Sequence, residues 1–212
     1  MTEVLQLNPH APEPDILRDA GEILRAGGLV AYPTETVYGL AASAFNSGSI
    51  TRVFEAKGRP QGQPLPVQIA EISQLEALAR DIPQAAQTLI ADFFPGPLTL
   101  VLRRQPSVSL LITGGGDTVG LRMPDHVVAL GVLRAFGGPL VCPSANLTGR
   151  RASMSASDVL EDLDGEIDLV LDGGPTTGRT PSTVLDVTTQ PARLIREGKI
   201  SRAALEAYLT IV

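Results

Sequence analysis

Lys57 and Arg59 flank Gly58, and Pro60 follows directly. Upstream, Ile50, Val53, Phe54 and Ala56 recur at the spacing of one apolar helix face, which Ser49 is placed to cap. Gly58 suits the left-handed residue that ends such a helix, and Pro60 forbids its continuation. Two cations on so sharp a corner can hold a phosphate or a carboxylate, lysine as a point charge and arginine as a bidentate fork. The four residues also read as an ordinary helix end, with Lys57 set against the negative end of the dipole and Arg59 in water.

Other polar groups stand just after apolar runs: Thr34-Glu-Thr36 after Pro33, Ser144-Ala-Asn146 after Cys142, and Arg196 after Ile195. Small hydroxyls and an amide at strand ends suit phosphate oxygens or an amino-acid carboxylate. Taken singly, each reads first as a turn or a helix cap, which Ser, Thr and Asn favour. Thr113-Gly-Gly-Gly-Asp117 could cradle a phosphate with backbone N–H groups, but it lacks the Lys-Ser/Thr of a phosphate-binding loop. Cys142 sits in an apolar strand with no histidine nearby in sequence, the pattern of a buried structural thiol. Ser144 lacks the glycine-flanked elbow of a hydrolase serine, and His126 follows Pro124-Asp125 where a helix starts.

The elements that must position these groups follow from the patterning. Strands are expected over 4–7, 29–33, 64–69, 98–102, 118–122, 140–142, 169–171, 183–186 and 193–196. Pro64 and Pro66 place the third of these near a sheet edge. Helices are expected over 15–26, from Ser49 to Ala56, over 73–79 and 85–93, from Pro124 to Phe136, from Ser155 to Leu163, and over 202–209 behind Ser201. Residues 38–41 read as a turn back toward the helix that ends at Lys57. Strands and helices interleave irregularly, so one α/β domain on a mixed sheet is expected, without repeats or long linkers.

Composition narrows the classes. With 212 residues and 43% hydrophobic content, the chain can bury one sizeable core. Seventeen basic residues against 23 acidic give −6, which argues against a general nucleic-acid or membrane coat while allowing a local basic pocket. Two histidines and one cysteine exclude a His/Cys metal cage, so no metal is expected by protein ligands alone. One cysteine also excludes an internal disulfide, and a reducing, cytoplasmic home is the expectation. The N-terminus lacks a signal-peptide pattern, and no stretch approaches the ~20 apolar residues of a spanning helix.

Six motifs together resemble the YrdC-like family, whose best-known members are threonylcarbamoyl-AMP synthases. They are Pro33-Thr-Glu-Thr-Val-Tyr-Gly-Leu40, Lys57-Gly-Arg-Pro60, Phe94-Pro-Gly-Pro-Leu-Thr99, Gly120-Leu-Arg-Met-Pro124, Pro143-Ser-Ala-Asn146 and Ser182-Thr-Val-Leu-Asp186. They run in family order across nearly the whole chain. The resemblance implies a single α/β domain over residues 1–212, a mixed twisted sheet flanked by helices around a central open cleft, and no extra C-terminal domain of the longer members. It implies that L-threonine, bicarbonate and ATP give threonylcarbamoyl-AMP and pyrophosphate, with Mg²⁺ accompanying the triphosphate. A downstream threonylcarbamoyl-transferase complex would then modify an adenosine of tRNA. Carried over by motif, Lys57, Arg59, Thr118, Ser144, Asn146 and Arg196 would contact ATP or the adenylate, with Lys57 and Arg59 catalytic. Thr34, Arg122 and Ser182 would hold threonine. Gln68 stands where some relatives carry His near the threonine, and Glu197 where many carry Pro. Two other readings stay open: a paralogue acting on another carbamoyl adenylate, and a non-catalytic module that binds double-stranded RNA.

Overall fold

Val30, Ala31 and Tyr32 have no polar side to give to water, and all three are fully buried in a strand covered on both faces. That strand belongs to an eleven-stranded mixed sheet in the computed structural model, which describes residues 1–178 and 180–212. In chain order the elements are β1 (Glu3–Gln6), α1 (Pro14–Arg25), β2 (Val30–Tyr32), β3 (Gly39–Ser43), α2 (Ser47–Ala56) and β4 (Val67–Gln68). A 3₁₀ turn (Ile72–Gln74) leads to α3 (Leu75–Leu78), β5 (Ala79–Arg80), α4 (Gln84–Phe93), β6 (Leu98–Arg104), α5 (Leu110–Thr113) and β7 (Thr118–Arg122). The chain continues through α6 (Val127–Phe136), β8 (Leu140–Val141), α7 (Ala156–Leu163), β9 (Leu169–Asp172), β10 (Thr183–Asp186), β11 (Arg193–Arg196) and α8 (Arg202–Glu206).

The strand order is β1-β9-β2-β3-β8-β4-β7-β6-β10-β11, with β5 paired to β6 off this path. Pairing is mixed: β2 runs parallel to β9 and antiparallel to β3, while β6 runs antiparallel to β7 and parallel to β10. Two apolar clusters form the core. The smaller joins Ala20 and Leu24 of α1 to Val128, Val132 and Leu133 of α6 and to Tyr32, Leu140 and Leu171 of the sheet. The larger gathers α2, α3, α4 and α7 with β3, β6 and β7. Each fully buried Leu or Ile contributes roughly 1.5–3 kcal/mol. The two helices of the smaller cluster cross so closely that a Cβ on Gly21 would meet the carbonyl carbon of Ala135 at 2.9 Å.

The expected α/β class and mixed sheet hold, with several differences in detail. β4 lies in the middle of the sheet, between β8 and β7, not near an edge. Both prolines precede the paired residues, and Pro66 still serves the sheet through its carbonyl, which accepts from the Cys142 N–H at 2.8 Å. Asn46, not Ser49, caps α2: its side chain accepts from the Ser49 N–H at 3.1 Å, and Ser49 Oγ instead donates to Gly27 O. Residues 39–43 form a buried strand where a turn was expected, because Gly39 to Ser43 carries no residue that demands water. α6 starts at Val127, with His126 as its cap position, and α8 ends at Glu206. Gly58 takes φ +54 directly after the end of α2, as its position at the helix end requires. Among the described residues, no helix is long and apolar enough to cross a membrane.

Candidate active site

Turns from distant parts of the chain meet in one cleft. It is lined by Thr34 and Thr36 after β2, Arg59 beyond α2, Gln68 of β4, Thr99 of β6, Arg122 ending β7, Cys142 and Ser144 after β8, Ser182 before β10 and Arg196 ending β11. Of the expected site residues, Thr34, Arg59, Arg122, Ser144, Ser182 and Arg196 therefore come together. Lys57, Thr118 and Asn146 do not line it. Thr118 opens β7 and Arg122 closes it, so the strand itself separates them.

Arg122 is 7% exposed, and burial of a cation demands partners. Its Nε donates to Gly96 O at 3.1 Å and its Nη2 to Thr36 Oγ1 at 3.1 Å. Nη2 also lies 2.7 Å from Glu35 Oε1, a contact of opposite charges without hydrogen-bond alignment. Both Glu35 oxygens are buried with no hydrogen-bond donor. Thr34 is consumed by its own turn: Oγ1 accepts from the N–H groups of Thr36 and Val37 and donates to Val37 O at 2.7 Å. Thr36 is thus the hydroxyl that reaches Arg122 in the cleft, and the sequence reading missed it. The available signal was the Thr-x-Thr spacing, in which the first hydroxyl closes the turn and accepts from the second at 2.8 Å, leaving the second oxygen to accept from Arg122.

Arg196 donates through Nε and Nη2 to Ser182 O at 3.1 and 2.8 Å, and through Nη2 to Ser182 Oγ at 3.2 Å. Ser182 Oγ lies 2.9 Å from Thr99 Oγ1. Burial lowers the pKa of Arg196, and the charge of Arg122 lowers it further. Arg59 is also lowered by burial; its Nη2 donates to Pro64 O at 2.8 Å, and its buried Nε has no partner. Three guanidinium groups thus share one cleft, with Glu35 set against one of them, and the excess positive charge makes it receptive to anions.

Gln68 Oε1 accepts from the buried Tyr32 hydroxyl at 3.1 Å. Burial pushes the Cys142 thiol up to about 11, so it stays protonated at neutral pH and fits a packing role at the cleft wall. Asn146 spends both N–H donors on Leu147 O and Arg150 O, and its buried Oδ1 has no partner. Lys57, 2% exposed, donates to the carbonyls of Ser144 and Asn146. Among the described residues, no three or more His, Cys, Asp or Glu side chains cluster to hold a metal ion.

A family model described as telomere recombination, for the Sua5/YciO/YrdC family, matches residues 22–198. A threonylcarbamoyl-AMP synthase of Pyrococcus abyssi is 46% identical over 193 residues, covering 91% of this chain and 57% of the relative. A putative threonylcarbamoyl-AMP synthase of Mycobacterium tuberculosis is 34% identical over 212 residues, covering 100% of this chain and 97% of the relative. The chain thus spans a little over half of the first relative and nearly all of the second. The crystal structure of P. abyssi Sua5 complexed with L-threonine superposes with a TM-score of 0.96 at 42% identity, covering 100% of this chain and 63% of that one. A family match over residues 22–198, with a relative 34% identical over nearly its whole length, means that the chain belongs to the Sua5/YciO/YrdC family.

Proposed function

We propose that the cleft forms threonylcarbamoyl-AMP from L-threonine, bicarbonate and ATP, with release of pyrophosphate. The observation that carries this reading is the convergence of Arg59, Arg122 and Arg196 with the hydroxyls of Thr36, Ser144 and Ser182 around a space that holds no activated nucleophile. Arg122 takes the threonine carboxylate, and Thr36 and Ser182 take its amine or hydroxyl. Arg59 and Ser144 take the nucleotide phosphates, and Arg196 lies beside the joining point. The threonine nitrogen, carboxylated by bicarbonate with loss of water, becomes a carbamate. A carbamate oxygen then attacks the α-phosphorus, and the bond to the β-phosphate oxygen breaks to free pyrophosphate. Two anions must approach each other, so the cleft's contribution is charge neutralisation and alignment, with no covalent protein intermediate. Mg²⁺ would accompany the triphosphate and supply further charge neutralisation there. The adenylate would pass to a threonylcarbamoyl-transferase complex that modifies tRNA.

The similarity to threonylcarbamoyl-AMP synthases and to a threonine-bound relative supports this reading. The assay is pyrophosphate release from ATP, with threonine and bicarbonate each present or omitted. Release that requires both is the expected result. Release with another amino acid but not threonine favours the paralogue. No release, together with retention of double-stranded RNA, favours the binding module, against which the −6 charge counts.

A further inference from the structure

Lys57 belongs to the cationic corner in sequence, yet it does not line the cleft that Arg59 lines and lies buried behind Ser144. We propose that Lys57 is a positioning residue that pins the turn formed by residues 144–146 and acts on the nucleotide through Ser144, an inference that rests on the nucleotide reading of the cleft.

Lys57 makes three bonds to one short segment, at alternate residues. Its Nζ donates to Ser144 O at 2.6 Å and to Asn146 O, and its own carbonyl accepts from the Thr148 N–H at 2.9 Å. The remaining carbonyl of the turn, Ala145 O, accepts from Ser153 Oγ at 2.7 Å, and the Ala145 N–H donates to Tyr38 O at 2.9 Å. Every carbonyl of residues 144–146 is thereby drawn onto an inward donor. Ser144 is left at the cleft wall, which Arg59 also lines. With two of its three N–H donors on backbone carbonyls and only 2% of its surface exposed, Lys57 can meet a phosphate in the cleft only by leaving the turn that presents Ser144. Arg59, whose guanidinium is half-buried with one recorded carbonyl partner, has donors to spare.

The ammonium is also poised to titrate. Burial first and the Arg59 charge second bring Lys57 down to about 8, against the opposing pull of Asp162 of α7 and of Cys142 after β8. A neutral amine keeps two N–H donors but loses the charge that strengthens both bonds. The turn therefore loosens as pH rises through about 8. The stability linkage runs the other way. With the folded value depressed from 10.5 to about 8, the folded state binds fewer protons between those values, so this group's contribution to stability rises with pH as the turn loosens.

Two measurements on the full chain test the inference, with Lys57→Met as the variant. In amide hydrogen exchange, the Ala145 and Thr148 amides should exchange at least ~10-fold faster in Lys57→Met than in the unaltered protein, and the unaltered protein should show a matching rise above pH 8 beyond the intrinsic rate. Unchanged exchange overturns the clamp, and the pH series needs no substitution should the variant fail to fold. In titrations with AMP and with ATP, Lys57→Met should lose affinity for both by the same factor, with an added Ser144→Ala costing little more. Loss for ATP alone, or additive losses, would place the ammonium on the phosphates and overturn the proposal. If the unaltered chain binds neither nucleotide, the proposed function fails, while the exchange result still decides the clamp.

Discussion

Lys57 and Arg122 are both buried cations, 2% and 7% exposed, yet the protein neutralises them in different ways. Lys57 faces neutral carbonyls and makes charge-assisted hydrogen bonds to two of them. Arg122 faces a full carboxylate, Glu35, whose two oxygens have no hydrogen-bond donor, and its Nη1 makes no hydrogen bond among the described residues. A cation buried among the carbonyls it bonds, with no carboxylate beside it, can reach a ligand only by leaving them, so it behaves as scaffold. A pair that is buried but left partly unsatisfied carries a desolvation cost that a ligand's own polar groups can offset. On the side assigned to the nucleotide, the bonds of Lys57 to its turn are thus a finished network, although Arg59 Nε and Asn146 Oδ1 beside them have no partner among the described residues. The side assigned to the amino acid holds an unfinished one.

The largest effect should come from breaking the unfinished network. Arg122→Met leaves Glu35 buried without its counter-charge, which should cost about 3–5 kcal/mol, or a fall in Tm of roughly 10 °C by thermal unfolding. Arg122→Met combined with Glu35→Gln should regain most of that stability and still lack threonine-dependent turnover. A single variant as stable as the unaltered chain would show that the pair is well solvated, and the contrast with Lys57 would lapse.

Arg59 tests the other side with less cost to the fold. It is half-buried and gives one hydrogen bond to Pro64 O, so Arg59→Ala should change stability by no more than about 1 kcal/mol. Pyrophosphate release should fall about 100–1000-fold, the range for losing one preorganised donor to a developing charge. Near-normal turnover in a folded Arg59→Ala protein would move the phosphate site elsewhere and leave Lys57 to be reconsidered.

How much of this was legible before the structure can be judged residue by residue. The polar turns after apolar runs at Pro33 and Cys142 announced themselves, because a strand must end where Thr-Glu-Thr or Ser-Ala-Asn begins. Gly58 fixed the corner for the same local reason. Strand order was not legible: β4 is two residues long and takes its central place from the neighbours on either side. The cap of α2 went to Asn46 because the helix starts one turn earlier than its apolar face does. The hydrogen bonds that Thr34 and Lys57 have already made were hidden for a different reason. Residue type tells how many hydrogen bonds a side chain can make, and only the packed structure tells how many the protein has already taken.

Gln68 falls between the two regimes, and it carries the smallest and most selective expectation. Its Oε1 is taken by the hydroxyl of Tyr32, which is fully buried. Burial raises the pKa of that tyrosine well above its usual value, with a further contribution from Cys142, so it remains a neutral donor. With Oε1 held, the amide that lines the cleft can offer a ligand its N–H groups, the complement of a carboxylate or hydroxyl oxygen. Tyr32→Phe deletes the donor that holds this orientation and leaves Oε1 unpaired, at about 1–2 kcal/mol of stability. The amide is then free to turn either face to the cleft. The threonine KM should rise several-fold while kcat holds, the signature of lost uniform binding. Gln68→Glu, which cannot donate when ionised, should raise the KM further at the same kcat. If Gln68→Glu raises KM and Tyr32→Phe does not, the tyrosine only fills space, and the amide is oriented by the substrate it binds.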